Sequence, residues 1–147
     1  MNKPESLAQR WLSGKQILVC DGATGTMLHS AGVPLDRSLS ELNVTRPGLV
    51  RDLHAAYLAA GARMVQTNTF DGNRLRLARV GLDARVAEIN IAGARLAREA
   101  VEHSGTDAVV AGSVGPPAIQ LSSLVSCAAI ALPHCVSRSL PWPTGWT

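Results

Sequence analysis

Apolar residues along this chain fall into short continuous runs that alternate with longer stretches at helical spacing. The runs Gln16–Cys20, Arg63–Thr67 and Asp107–Ala111 are bounded by turn residues, and short bounded runs of this kind predict strands. Between the first two, Leu49, Leu53 and Tyr57 recur at spacing four with Val50 and Ala60 alongside. This predicts a helix over 46–60, capped by Thr45 or Arg46, with Pro47 in its first turn and Gly61 after its end. Val86, Ile89, Gly93, Leu96, Ala97 and Ala100 mark one face of the longest helix, with arginines and glutamates opposite and Asp83 as its N-cap. Shorter helical segments are predicted at 4–13, with Leu7, Trp11 and Leu12 on one side, at Thr24–Ser30, and at Arg74–Arg79 before Gly81.

Strands alternating with helices imply a parallel sheet joined by right-handed crossovers. All three strand ends then lie on one edge, where Asp21-Gly22, Asn68-Thr69 and Gly112-Ser113 converge. Such an edge is the catalytic face of a (βα)8 barrel or the crevice of a doubly wound sheet, and three strands fit either.

Composition changes this picture mainly at the C-terminal side. With 147 residues, 46% of them apolar, the chain is long enough for one domain with a core. The net charge of +3 is spread along helical faces without a basic block, which argues against nucleic acid as a partner. No apolar run reaches a membrane span, and residues 1–16 lack the apolar segment of a secretory signal. Three cysteines in unrelated contexts do not form a disulfide framework, so a reducing, cytoplasmic setting is expected. All eleven acidic residues lie at or before Asp107, and the forty residues after it carry Arg138 as their only formal charge. Leu121–Leu132 has no clear periodicity, and Pro133, Pro141 and Pro143 break up the remaining residues. A domain over 1–116 and a poorly packed tail over 117–147 are therefore expected.

The candidate chemistry sits at the strand ends. Asp21, flanked by Gly22, can accept hydrogen bonds from a substrate ammonium. The amides of Thr24 and Gly25, opening a helix, can hold a carboxylate. The plainer alternative is that Asp21 caps the next turn. Asn68, within Thr67-Asn68-Thr69-Phe70, can line a pocket or merely satisfy its own turn. The segment after the first strand lacks the Gly-Lys-Ser/Thr ending of a phosphate loop and the dinucleotide fingerprint. His29, His54, His103 and His134 have no spacing partner for a metal pair, and His54 and His103 are expected to face solvent. Cys20 is expected to be buried in its strand, and Cys127 and Cys135 have a poor zinc spacing. No residue is assigned as a catalytic nucleophile or as a metal ligand.

Four segments occur together in a telling order: Asp21-Gly22-Ala23-Thr24-Gly25-Thr26-Met27, Glu41-Leu42-Asn43-Val44-Thr45-Arg46-Pro47, Thr67-Asn68-Thr69-Phe70 and Gly112-Ser113-Val114-Gly115-Pro116. With Asn73-Arg74-Leu75 and Glu88-Ile89-Asn90, they resemble the homocysteine S-methyltransferase family over roughly residues 14–116. Within that family the motifs resemble the homocysteine-binding module of cobalamin-dependent methionine synthase and its folate-pathway relatives. The resemblance implies the N-terminal part, about three βα units, of a (βα)8 TIM barrel. It also implies homocysteine as substrate and a zinc ion that keeps its sulfur as thiolate. The methyl donor in such enzymes is a methyl-folate and cobalamin system, S-methylmethionine or betaine. By the same resemblance Asp21 grips the homocysteine ammonium, the amides near Thr24 and Gly25 cradle its carboxylate, and Asn68 to Asp71 line the pocket.

The zinc ligands of the family are three cysteines after its sixth and eighth strands, and Cys20, Cys127 and Cys135 do not match them. The resemblance stops near Pro116, close to where the acids stop, as a truncated or frameshifted gene product would. The chain by itself is therefore expected to be inactive. Its open sheet edge is expected to promote self-association. The alternatives are a non-catalytic amino-acid-binding fragment, a small doubly wound nucleotide-binding domain lacking its usual fingerprint, and a nonfunctional pseudogene product.

Overall fold

The computed structural model describes residues 7–14 and 17–116. The expected tail at 117–147 lies outside them, as do His134, Cys127 and Cys135. Among the described residues six α-helices and two strands succeed one another: α1 Leu7–Leu12, α2 Thr24–Ser30, α3 Leu42–Thr45, α4 Pro47–Ala59, β1 Met64–Gln66, α5 Arg74–Ala78, α6 Val86–Ser104 and β2 Val109–Ala111. A 3-10 turn at Asp83–Arg85 leads into α6.

β1 and β2 pair in parallel, Met64 opposite Val109 and Gln66 opposite Ala111. On the other side of β1 the first predicted strand contributes a single parallel bridge, Cys20 to Met64. The three segments thus lie side by side in chain order. The first segment falls short of a strand for a local reason. The amides of Arg63 and Met64 both donate to Val19 O, and Asp21 N donates to Met64 O. The next rung of a parallel ladder would run from Gln66 N to the main-chain carbonyl of Asp21. The Asp21 carboxylate accepts that bond instead, Oδ2 at 2.8 Å. Cys20, expected to be buried in this run, is only half-buried, and its neighbours Ile17 and Val19 are 93% and 62% exposed, since no described layer covers that side.

The helices behave largely as their apolar spacing predicts. On α4, Val50, Leu53, His54 and Leu58 are buried. On α6 the buried stripe is Ile89, Gly93, Leu96, Ala97, Ala100 and Val101. α4 and α6 pack against each other and against the sheet, with one core cluster around Leu58, Val65 and Ala97 and a second around Leu28, Val50 and Leu96. Gly93 permits a close approach of α6 to α3, because a Cβ there would stand 2.5 Å from Asn43 Nδ2. Three expectations need correction. Asp83 does not cap α6; that position falls to Arg85, without a side-chain cap bond, and Arg85 pairs with Glu88 one turn on at 2.8 Å. Trp11 and Leu12 of α1 are exposed rather than gathered on a buried side. His54 is fully buried, not solvent-facing, because it shares the inward stripe with Val50 and Leu58.

Candidate functional site

The C-terminal ends of the parallel segments enclose a cavity of about 440 Å³. Gly22, Thr24, Gly25 and Asn68 line it, together with Arg37 and Arg76. Four of the five residues singled out from sequence therefore share one cavity.

Asp21 lies just behind it. The residue is 8% exposed, and its carboxylate accepts from Gln66 N and from the Cys20 thiol at 3.1 Å. An ionised carboxyl group offers about four acceptor positions, so roughly two remain. Cys20 is half-buried. Burial first, and then its bond to Asp21, push its thiol above the ordinary range. In α2 the Thr24 amide is already committed, donating to Gly22 O at 2.8 Å. The amides of Gly25 and Thr26 precede the first intrahelical bond, Met27 N to Ala23 O. They are of the kind that a helix start leaves free for an acceptor.

The wall after β1 is held by a buried amide network. Asn68 Nδ2 donates to Leu39 O at 2.7 Å and to Asn43 Oδ1 at 3.0 Å. Asn43 Nδ2 in turn donates to Asn68 O at 2.8 Å and to Ile89 O at 3.2 Å. Asn68 thus ties separate segments together rather than serving its own turn. Thr67 and Thr69 share a bond between hydroxyls at 2.6 Å, and Thr67 Oγ1 accepts from Ser113 N at 3.0 Å. This fixes the loop after β2 beside the loop after β1. Asp71 closes the far wall, accepting from Ser38 Oγ at 2.7 Å, from Ser40 N at 3.1 Å and from Ser40 Oγ. Arg76 stacks 5.6 Å from the Phe70 ring centroid, and its Nε donates to Pro116 O at 3.2 Å.

Sequence reasoning missed Ser38, Ser40 and Asn43 as builders of this site. Asn43 stood inside a motif that was noticed, but its partners lie 25 and 46 positions away. Local spacing carries no trace of such bonds. Asn73 was more legible: its side chain accepts from Arg76 N at 3.0 Å and caps α5, a role its type and position announce.

The donor set does not suit a zinc ion. Among the described residues no three His, Cys, Asp or Glu side chains gather closely enough to hold a metal. The thiol of Cys20, the one described cysteine, is engaged by Asp21 and Gln66. Among the same residues no helix is long and apolar enough to cross a membrane.

A sequence profile described as homocysteine S-methyltransferase matches residues 18–134, which runs past the Pro116 boundary that the motifs suggested. Methionine synthase of Mycobacterium tuberculosis (strain ATCC 25618 / H37Rv) is 35% identical over 111 residues, covering 69% of this chain and 9% of that protein. Methionine synthase of Mycobacterium leprae (strain TN) is 36% identical over 121 residues, covering 76% of this chain and 10% of that protein. Among solved structures, the homocysteine methyltransferase MmuM from Escherichia coli in its oxidized form superposes with a TM-score of 0.61 at 35% identity, over 73% of this chain and 40% of that one. Its metallated form gives 0.62 at 33% identity, over 80% and 43%. The chain thus spans about a tenth of the methionine synthases and about two-fifths of the methyltransferase it superposes on.

Proposed function

The chain belongs to the homocysteine S-methyltransferase family, and from that premise we propose that residues 17–116 form the amino-acid-recognising part of a homocysteine site. The observation that carries this reading is the cavity of about 440 Å³ at the strand ends, shared by Gly22, Thr24, Gly25 and Asn68. In it the remaining acceptor positions of Asp21 take the substrate ammonium. The amides at the start of α2, that of Gly25 first, take its carboxylate. Asn68 and Asp71 shape the wall along which the side chain extends. These contacts hold the substrate by its invariant end and orient its sulfur away from the α2 turn.

The chemistry at that sulfur needs more than these residues. A thiol is a poor nucleophile until deprotonated, and among the described residues no three His, Cys, Asp or Glu side chains gather to hold a metal ion that would do this. A zinc ion serving that purpose would take its ligands from outside the described residues. The reading therefore assigns binding and orientation to this chain and methyl transfer to an assembly that supplies the remaining parts of the barrel. Incubation of the purified 147-residue chain with homocysteine, zinc and each of the three donor classes tests it. No methionine is expected above the uncatalysed background. Zinc-dependent methionine formation by this chain alone would refute the division of labour.

A further inference from the structure

His54 is fully buried, and neither Nδ1 nor Nε2 has a hydrogen-bond partner among the described residues. A neutral imidazole always carries one N–H. Buried donors are almost always matched, so one left over calls for an explanation. Homocysteine binding as proposed above does not use this residue directly.

Its place in the fold suggests what it serves. His54 and Tyr57 stand three positions apart on α4, a spacing that sets them on one helical face. Tyr57 Oη lies 3.4 Å from where a Cβ on Gly22 would sit, so this face of α4 supports the Asp21-Gly22 turn from below. Burial holds the His54 ring below the ordinary histidine range, and the charge of Asp21 pulls it back the other way. Asp21 has acceptor positions to spare beyond Gln66 N and the Cys20 thiol. A buried water with two or more polar partners is a common way to join such groups.

We infer that His54 is a positioning residue for Asp21: its ring N–H reaches the carboxylate through one buried water and fixes the orientation of the free acceptor positions. The role in substrate binding rests on the homocysteine reading; the link between the two side chains does not. Nitrogen-15 labelling of histidine in the full chain tests the link, with imidazole spectra recorded between about pH 5 and pH 8. In the wild type, one His54 ring N–H is expected to be protected from exchange and to show a cross-peak to a long-lived water. Asp21→Asn and Asp21→Glu are expected to shift the His54 ring nitrogens while leaving those of exposed His103 unchanged. A wild-type ring with no water cross-peak, or ring nitrogens indifferent to both substitutions, overturns the inference. Should Asp21→Asn fail to fold, the wild-type cross-peak and the Asp21→Glu shift decide the matter. If the link is present but homocysteine does not bind, the positioning inference stands and the homocysteine reading falls.

Discussion

A single side chain ends the first sheet segment and begins the site. By accepting from Gln66 N, the Asp21 carboxylate takes the place of a main-chain carbonyl, so the ladder stops where the cavity starts. The sequence announced the residue type and its strand-end position, and Gly22, Thr24, Gly25 and Asn68 line the cavity. It did not announce that Asp21 would be almost wholly buried behind them, because that depends on β1 lying alongside. His54 was misjudged for a different reason. Its place beside Leu53 in the apolar stripe was visible, but its polarity outweighed its spacing. Burial depresses the proton affinity of His54 in the folded state, while Asp21 opposes this. The unfolded chain therefore binds a proton that the folded chain refuses. Stability should be undiminished above the ordinary histidine value of 6.5 and should fall as the pH drops from there toward the lower folded value. The steepest slope one such group can impose is about 1.4 kcal/mol per pH unit. Urea titrations at stepped pH should show this slope in the wild type and a flatter one in His54→Leu. Equal slopes would mean that His54 is not held neutral.

At the scale of elements, the two long helices were the most legible part of the fold. Their apolar spacing runs over three turns or more, and packing of α4 on α6 uses the face that the spacing marks. α3 was not foreseen: four residues, Leu42–Thr45, are too few to carry a period. The cross-links at Asn43 were equally hidden, since they join α3 to the loop after β1 and to α6. Gly93 is where these elements meet, and a Cβ there would also stand 2.8 Å from Thr69 Cγ2. Gly93→Val should therefore lower stability by about 1–3 kcal/mol through overpacking. Gly48 of α4 has open space around its Cβ position, so Gly48→Ala should raise stability by roughly 0.5–1 kcal/mol. Thermal melts of the two variants should move in opposite directions. A Gly93→Val melt at or above the wild-type value would show that α6 does not approach Asn43 this closely.

At the scale of the molecule, parallel segments in chain order with helices packed along them suit the TIM-barrel family to which the structural neighbours belong. The family was legible because four motifs at strand and helix ends kept their order. The sheet itself is narrower than the three predicted strands suggested, because the first segment reaches β1 through one bridge. The described part carries a cavity of about 440 Å³ at the strand ends and no cluster fitted to a metal. The central claim is that this chain recognises the invariant end of homocysteine and is indifferent to its sulfur. Calorimetric titration of the 147-residue chain with homocysteine and with 2-aminobutyrate, which lacks the thiol, tests it most directly, first with zinc chelated and then with zinc restored. Matching affinities for the two ligands, unchanged by zinc and weakened for both by Asp21→Ala, are the predicted result. Binding of homocysteine alone, binding that requires zinc, or binding of neither ligand would contradict it.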